Sequence, residues 1–377
     1  MHALFCLPDF EPLGVQRVVA SLARAWPAQE ARLSICVHRR AGPLLETLPR
    51  EVAIVALDEL APDVPKLRVL ARPLLHLAAI RRLRADVAVG FVPGDNLSLL
   101  AARALGGRFG LIVSEHIHVS SQLRDYPLRF RAPYRALFPR WYPRADAICV
   151  VAEESREDLV ANFGIPRART HLIRNPLDLD AVRAGAREPA GHPWFDGGGE
   201  PVIVAAGRLE RQKRVDLLLR ALASLRRSRA ARLVVLGDGP LRAELEGLAG
   251  ALGIAEHVWF AGFVPNPWRY MARARAFALA SDYEGFPCAL AEAMALGVPA
   301  VATDCPSGPR EMMGEAGLLV PVGDGEALAA ALRAVLEDGE AAAARARKAQ
   351  AAAERFEARG VARRYLELIR GVAGARS

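Results

Sequence analysis

The sequence predicts an α/β protein made of two doubly wound domains. Three observations carry that reading. The chain has 377 residues, more than one ordinary hydrophobic core organises. Short apolar, β-branched runs alternate with helical patterns along its length, as expected of parallel sheets covered by helices. Between two such series lies "AGAREPAGHPWFDGGGEP", residues 184–201, whose Gly, Pro and charge suit a loop at or beside a linker.

The elements follow in order. The first half offers strands at "ALFCL", "RLSICV", "VAIVAL", "ADVAVGF", "FGLIVSE" and "ADAICVV", with helical patterns between them. The second half offers "PVIVAAG", "ARLVVLG", "HVWFAGF", "ARAFALA" and "VPAVATD". The tail "RFEARGVARRYLELIRGVAG" has Phe356, Val361, Tyr365, Leu366 and Ile369 spaced to pack on one helical face. The expected division is residues 1–180, residues 181–355, and a C-terminal helix at 356–377 that crosses back to the first domain. Open α/β sheets bind ligands beyond the carboxyl ends of their strands, so two such domains imply a cleft.

Composition narrows the function. A hydrophobic fraction of 52% with 24% charged residues excludes a disordered chain. The cysteines at 6, 36, 149, 288 and 305 are scattered singly with no metal-type spacing, which suits reduced thiols and a cytoplasmic protein. The start, "MHALFCLPDF", reads as a first strand rather than a signal peptide, and no run reaches the roughly 18 apolar residues of a membrane span. The formal net charge of +8 suits phosphates or an anionic lipid surface. Without zinc spacing, an RNP-like signature or a helix-turn-helix pattern, no nucleic-acid partner is expected.

Five stretches carry candidate chemistry. In "AAGRLERQKRVDLLLRAL" a strand ends at Gly207, and Arg208 and Lys213 follow before a helix, where an anion would bind; two solvated surface cations are the competing reading. In "LGDGPLRAEL", Gly237 and Gly239 permit close backbone approach or a tight turn. In "SDYEGFPCALAEAMALGVP", Pro287 opens a helix whose first N–H groups can hold an anion. Glu284 precedes that helix and Glu292 lies inside it, on an otherwise apolar segment. A carboxylate there needs a partner, either vicinal hydroxyls such as those of a ribose or a buried Arg. In "LPDFEPLGVQRVVASLARAW", Gly14 could let the backbone approach a phosphate. In "LIVSEHIHVS", Glu115, His116 and His118 follow a strand, where either a structural or a catalytic histidine fits.

Taken together these stretches resemble the GT-B-fold retaining glycosyltransferases of family 4. "GRLERQK" and "EGFPCALAE" look like that family's two most specific motifs, the second its E-x7-E pattern, and "GDGPLRAEL", "FAGFVPNP" and "VATDCPSGPREMM" follow in the family's order. The likeness covers the C-terminal half closely and the N-terminal half loosely, through Gly14, "SEH" and "IRNPLD". It implies two Rossmann-like domains, the first for the acceptor and the second for the nucleotide sugar. It also implies roles. Arg208 and Lys213 would neutralise the donor diphosphate, Glu292 would hold the ribose, and Glu284 would touch the donor sugar. Gly207, Gly285, Phe286, Pro287, Cys288, Ala289 and Leu290 would line the nucleotide sugar, Gly14 would close over the phosphates, and His116 would lie near the reacting sugar. The loop "EPLGVQRV" departs from the family's common form by carrying one glycine where many members carry two.

The resemblance further implies transfer of a hexose or N-acetylhexosamine from a UDP-linked sugar to a glycan or polyprenyl-linked acceptor. The wording "TDCPSGPRE" looks most like enzymes of bacterial lipid-linked oligosaccharide, lipopolysaccharide or capsule synthesis. No Asp-x-Asp stands at a strand end, so no metal or other cofactor is expected. Two alternatives share the fold: a sugar-nucleotide epimerase, and a non-catalytic binder of sugar nucleotides or lipid. Arginines interleaved with aromatics in "QLRDYPLRFRAPYRALFPRWYPRADA", and the basic, leucine-rich "KLRVLARPLLHLAAIRRLRAD", imply docking on the inner face of an anionic membrane. Solvated arginines over core aromatics are the competing reading.

Overall fold

A computed structural model describes residues 1–60, 68–195 and 199–375; the side chains of residues 68, 69, 128–130 and 133 lie outside that description. Lys66 in the basic stretch and Asp196 in the expected linker therefore fall outside it. The chain divides into two units, Met1–Leu177 with Phe356–Ser377, and Asp178–Arg355.

The first unit holds β1 (His2–Leu7), β2 (Arg32–Val37), β3 (Ala53–Ala56), β4 (Val87–Gly90), β5 (Gly110–Glu115), β6 (Ala147–Val150) and β7 (Thr170–Leu172). They form one parallel sheet in the order β3-β2-β1-β4-β5-β6-β7. The inner strands are buried on both faces, so they read as continuous apolar runs rather than alternating ones. One face carries Leu4, Cys6, Cys36, Leu77, Leu99 and Leu111 in a single core cluster. The C-terminal helix Ala358–Gly374 belongs to this unit and buries Val361, Tyr365, Leu366 and Ile369. Its Tyr365 ring packs near Phe5 and Phe91.

The second unit holds β8 (Val202–Ala206), β9 (Arg232–Leu236), β10 (Val258–Gly262), β11 (Ala276–Leu279), β12 (Ala300–Thr303) and β13 (Leu318–Val320). These too are all parallel, in the order β10-β9-β8-β11-β12-β13. The helices Val215–Arg226 and Gly325–Glu337 send Leu218, Leu222, Leu328 and Leu332 into its core. In each sheet the strand order reverses once, between β1 and β4 and between β8 and β11. Diverging connections at such a point open a crevice at the carboxyl ends of the strands.

Two strands escape the sequence reading. β7 and β13 have three residues each and close an edge of their sheets, too short for a hydrophobic period. "LRFRAPYRALFPRW" forms one helix, Leu128–Trp141, despite Pro133 and Pro139. The reading of these aromatics as an interface is corrected for those described, the Phe130 side chain lying outside the description. Phe138 and Tyr142 are buried and stack at 3.6 Å, and Tyr126, Tyr134 and Trp141 pack against the same core.

Candidate active site

The segment after β8 and the segment after β11 meet at the second sheet's reversal point. Four interactions stitch them. Asp282 N–H donates to the Gln212 carbonyl at 2.9 Å, and Gln212 Nε2 donates to the Tyr283 carbonyl at 2.7 Å. Arg214 Nη1 donates to Asp282 Oδ1 at 3.0 Å. Lys213 Nζ donates to Glu284 Oε1 at 2.6 Å. The Ser281 hydroxyl also donates to Glu284 Oε1, at 2.7 Å. Glu284 is buried while Lys213 keeps part of its surface open, so the ammonium is the accessible end of the pair.

A hollow beside this pair is lined by Gly207, Arg208, Lys213, Leu279 and Ala280. Arg208 is half exposed and pairs with Glu210 at 2.9 Å. Two cations and a shallow apolar wall therefore share one crevice, as an anion with an attached ring would require.

A third segment supports the second. The Glu284 amide donates to the Pro306 carbonyl at 3.0 Å, the Thr303 hydroxyl to the Ser281 carbonyl at 2.6 Å, and the Ser307 hydroxyl to the Gly285 carbonyl at 3.1 Å. Gly308, at φ +106°, presses on the Pro287 ring, where a Cβ would come within 2.5 Å. "TDCPSGP" thus holds "EGFP" from behind. The helix begins at Cys288, with Pro287 as its N-cap and no side-chain cap. Cys288 and Ala289 are partly exposed, whereas Gly285, Phe286 and Pro287 are buried and Leu290 is wholly so. This helix terminus therefore reaches the surface at Cys288 and Ala289. Glu292 lies 7% exposed in the same helix.

Of the two roles open to Gly237 and Gly239, a close backbone approach is observed, to the segment after β8. A Cβ on Gly237 would stand 2.1 Å from the Gly207 carbonyl oxygen, and one on Gly239 2.6 Å from that of Leu209. These glycines let the loop after β9 lie directly on the backbone that carries Arg208.

Gly14 and His116 belong to the other unit. Gly14 is exposed and opens the helix Gly14–Arg24 after β1. The neighbouring loop is braced by buried Asp9, which accepts from the Glu11 amide and from Arg39. His116 follows β5. Its Nδ1 meets Asn175 Oδ1 at 2.9 Å, its Nε2 meets Ser114 Oγ at 3.0 Å, and its ring stacks on Phe91. Burial drives its pKa down to about 4 against the opposing bond to Asn175, so the imidazole is neutral at pH 7. The other members of "SEHIH" are structural. Glu115 is buried and accepts from the Tyr142 hydroxyl and, at 2.9 Å, from Asn96. His118 caps the helix Val119–Asp125 through Ser121.

Sequence reasoning missed Gln212, Arg214, Ser281, Asp282 and Ser307. All lie within the quoted motifs, but their role is to bond one motif to another, and only the sheet order brings those motifs together.

The chain matches the family model described as Glycosyl transferases group 1 over residues 194–353, and that described as Glycosyltransferase Family 4 over residues 13–181. It is 32% identical over 317 residues to the Campylobacter jejuni N-acetylgalactosamine-N,N'-diacetylbacillosaminyl-diphospho-undecaprenol 4-alpha-N-acetylgalactosaminyltransferase, covering 81% of this chain and 83% of that protein. A second C. jejuni protein, GalNAc-alpha-(1->4)-GalNAc-alpha-(1->3)-diNAcBac-PP-undecaprenol alpha-1,4-N-acetyl-D-galactosaminyltransferase, is 27% identical over the full length of both chains, 382 aligned residues. Among solved structures, sucrose-phosphate synthase from Thermosynechococcus elongatus superposes with a TM-score of 0.81 at 20% identity, covering 100% of both chains. Anabaena HepE in complex with UDP-glucose gives 0.77 at 20% identity, covering 98% of this chain and 100% of that one. At these identities the structural likeness shows the fold alone.

Proposed function

The chain belongs to glycosyltransferase family 4, and from that premise we propose that it moves a hexose or N-acetylhexosamine from a UDP-linked sugar to a lipid-linked glycan, with retention of configuration. Glycosyl transfer itself follows from membership of the family. The observation that carries the finer reading is the Lys213–Glu284 pair beside Arg208, at the reversal point of the second sheet.

The chemistry is one of charge. Breaking a sugar–phosphate bond leaves an electron-deficient sugar and a nucleoside diphosphate whose negative charge grows as the bond lengthens. Cations fixed before the reaction stabilise that charge without reorganising. Lys213, already held by Glu284, and Arg208 fill this role. The amides of Cys288 and Ala289 add the field of a helix N-terminus. Glu292 takes the ribose hydroxyls and Glu284 the sugar hydroxyls. The protein's own cations replace a metal, so turnover proceeds without added Mg2+ or Mn2+. His116, neutral in its environment, contributes as a hydrogen-bonding group rather than as a charge.

Support for a polyprenyl-linked acceptor comes from the two Campylobacter relatives, both named for undecaprenol-linked substrates. An acceptor of that kind places the enzyme on the inner face of the cytoplasmic membrane. Among the described residues no helix is long and apolar enough to cross one.

The test is a panel of UDP- and GDP-sugars scored by thermal shift, since a ligand raises stability by mass action. The best binder is then incubated with and without a polyprenyl-diphosphate glycan. Acceptor-dependent transfer from a UDP-sugar is the expected result. Conversion of the sugar to its epimer without acceptor overturns the transfer reading in favour of an epimerase. Binding without either reaction favours a non-catalytic binder.

A further inference from the structure

A second cluster of chemically active side chains lies inside the N-terminal unit. Cys6 on β1 and Cys36 on β2 are register partners on adjacent parallel strands. Both thiols are free and fully buried on the face covered by the helices Arg68–Leu83 and Pro93–Ala104. The first of those helices brings His76 and the second brings Asp95, both essentially without solvent exposure. The donor atoms of Cys6, Cys36 and His76 all lie within 4.8 Å of one another, as do those of His38, His76 and Asp95.

The polar contacts around the cluster are those of a ligand set with a supporting shell. His76 Nδ1 meets Ser98 Oγ at 2.8 Å, which leaves Nε2 facing Asp95 Oδ1 at 3.6 Å. His38 Nε2 meets the same Asp95 Oδ1 at 2.6 Å. Asp95 Oδ2 is buried and has no hydrogen-bond partner among the described residues. A buried carboxylate oxygen without a donor is rare in folded proteins, and an ion is one of its few explanations. The sequence spacing concealed the arrangement, because its members come from four separate elements.

We propose that Cys6, Cys36, His76 and Asp95 form a structural zinc site that ties the first two strands to the helices covering them. The donor chemistry selects the metal: two thiolates, one imidazole and one carboxylate suit tetrahedral Zn2+ rather than Mg2+ or Ca2+. Bond lengths of about 2.0–2.3 Å put tetrahedral donors roughly 3.3–3.8 Å apart; the Cys6–Cys36–His76 triad needs a small contraction to reach that, and Asp95, 3.6 Å from His76, moves toward the thiols to complete the set. Ser98 orients His76 and His38 orients Asp95, as supporting partners of metal ligands do. On binding, the two thiols give up their protons to solvent and the metal takes their place. All four ligands come from the protein and the site is closed to solvent, so zinc here holds structure and takes no part in glycosyl transfer.

The test uses the full chain, reduced and freed of metal, titrated with Zn2+ and separately with Co2+. The expected result is one tightly held ion per chain, with Co2+ giving a thiolate charge-transfer band and the intense visible bands of tetrahedral coordination. Cys36→Ser should remove the charge-transfer contribution of one thiolate. Ser98→Ala, which leaves every ligand and the fold in place, should weaken Zn2+ by roughly 10–100-fold. Three results overturn the proposal: no uptake by reduced chain that is folded by circular dichroism, an unchanged Co2+ spectrum in Cys36→Ser, or a native mass two hydrogens light from a Cys6–Cys36 disulfide.

Discussion

Lys213 and Glu284 define each other. An acid inside the fold is tolerable because an ammonium and the Ser281 hydroxyl both donate to it. The structure leaves the Lys213 side chain only 23% exposed. Lys213→Ala should therefore cost turnover and stability together. Loss of a preorganised donor lowers kcat by on the order of a hundredfold. The carboxylate left behind costs about 1–3 kcal/mol, read from denaturant midpoints. Arg208→Ala should lose comparable turnover while its unfolding curve barely moves, because its pair with Glu210 is exposed. Equal stability of the two variants would refute the asymmetry. Glu292→Gln should weaken UDP as well as UDP-sugar by calorimetry; a lower melting temperature with unchanged UDP affinity would make Glu292 purely structural. Glu115 offers a pH test. Burial lifts its carboxyl from an ordinary 4.5 to about 7, against the bonds from Tyr142 and Asn96. The folded state then binds the proton more tightly than the unfolded state, so stability is fullest below pH 4.5 and declines as pH rises through about 7. Relative to Glu115→Gln, the natural protein should lose on the order of 3 kcal/mol across that window. Parallel stability–pH curves for the two would show that Glu115 does not titrate there.

At the scale of elements, the site is a stack of loops in backbone contact. The loop after β9 rests on the loop after β8, which is stitched to the loop after β11, which the loop after β12 supports from behind. Gly237→Ala should test the first contact. The φ of +133° and a Cβ position 2.1 Å from the Gly207 carbonyl mean that the "GRL" backbone must move. Turnover should fall together with thermal stability; a variant with normal kcat would show that the loop yields without moving Arg208. This stacking also explains what was legible. Eleven strands and the long helices announce themselves because a buried parallel strand or a helical face needs a run of one chemistry. β7 and β13 carry too few residues for any period. Arg208, Lys213, Glu284 and Glu292 stood out as charges next to strand ends or inside apolar helices. Ser281, Gln212 and Asp282 did not, since a residue that bonds one loop to another has no local signature. Cys6, Cys36, His76 and Asp95 were invisible for the same reason: each looks like core or cap until the sheet order puts β1 between β2 and β4.

For the whole molecule, the surface charge bears on where the enzyme works. The excess of 50 basic over 42 acidic residues gives +8, and part of it lies on the helices Arg68–Leu83 and Leu128–Trp141. Of the second helix's described aromatics, Phe138 is buried and Tyr134 and Trp141 are partly buried against the core, which leaves them little surface for a headgroup layer. What those helices offer to solvent is Leu70 at 79%, Leu74 at 58% and Leu137 at 46% exposure, with Arg135 and Arg140 exposed as well. Leucines of that exposure are costly in water and suit the acyl boundary, while each nearby arginine gains about 1 kcal/mol from an anionic leaflet. The proposed membrane docking should therefore be reversible, dependent on both anionic lipid and exposed leucine, and weakened by salt as the charges are screened. Flotation with neutral and anionic vesicles at low and high salt measures it. Natural protein should float with anionic vesicles at low salt only. Leu70→Asp with Leu74→Asp should abolish flotation while leaving thermal stability intact, because neither side chain is part of the core. Arg135→Glu with Arg140→Glu should shift the salt midpoint downward. Equal recovery with neutral and anionic vesicles, or flotation indifferent to the leucine changes, would mean that the acceptor reaches the enzyme without these side chains.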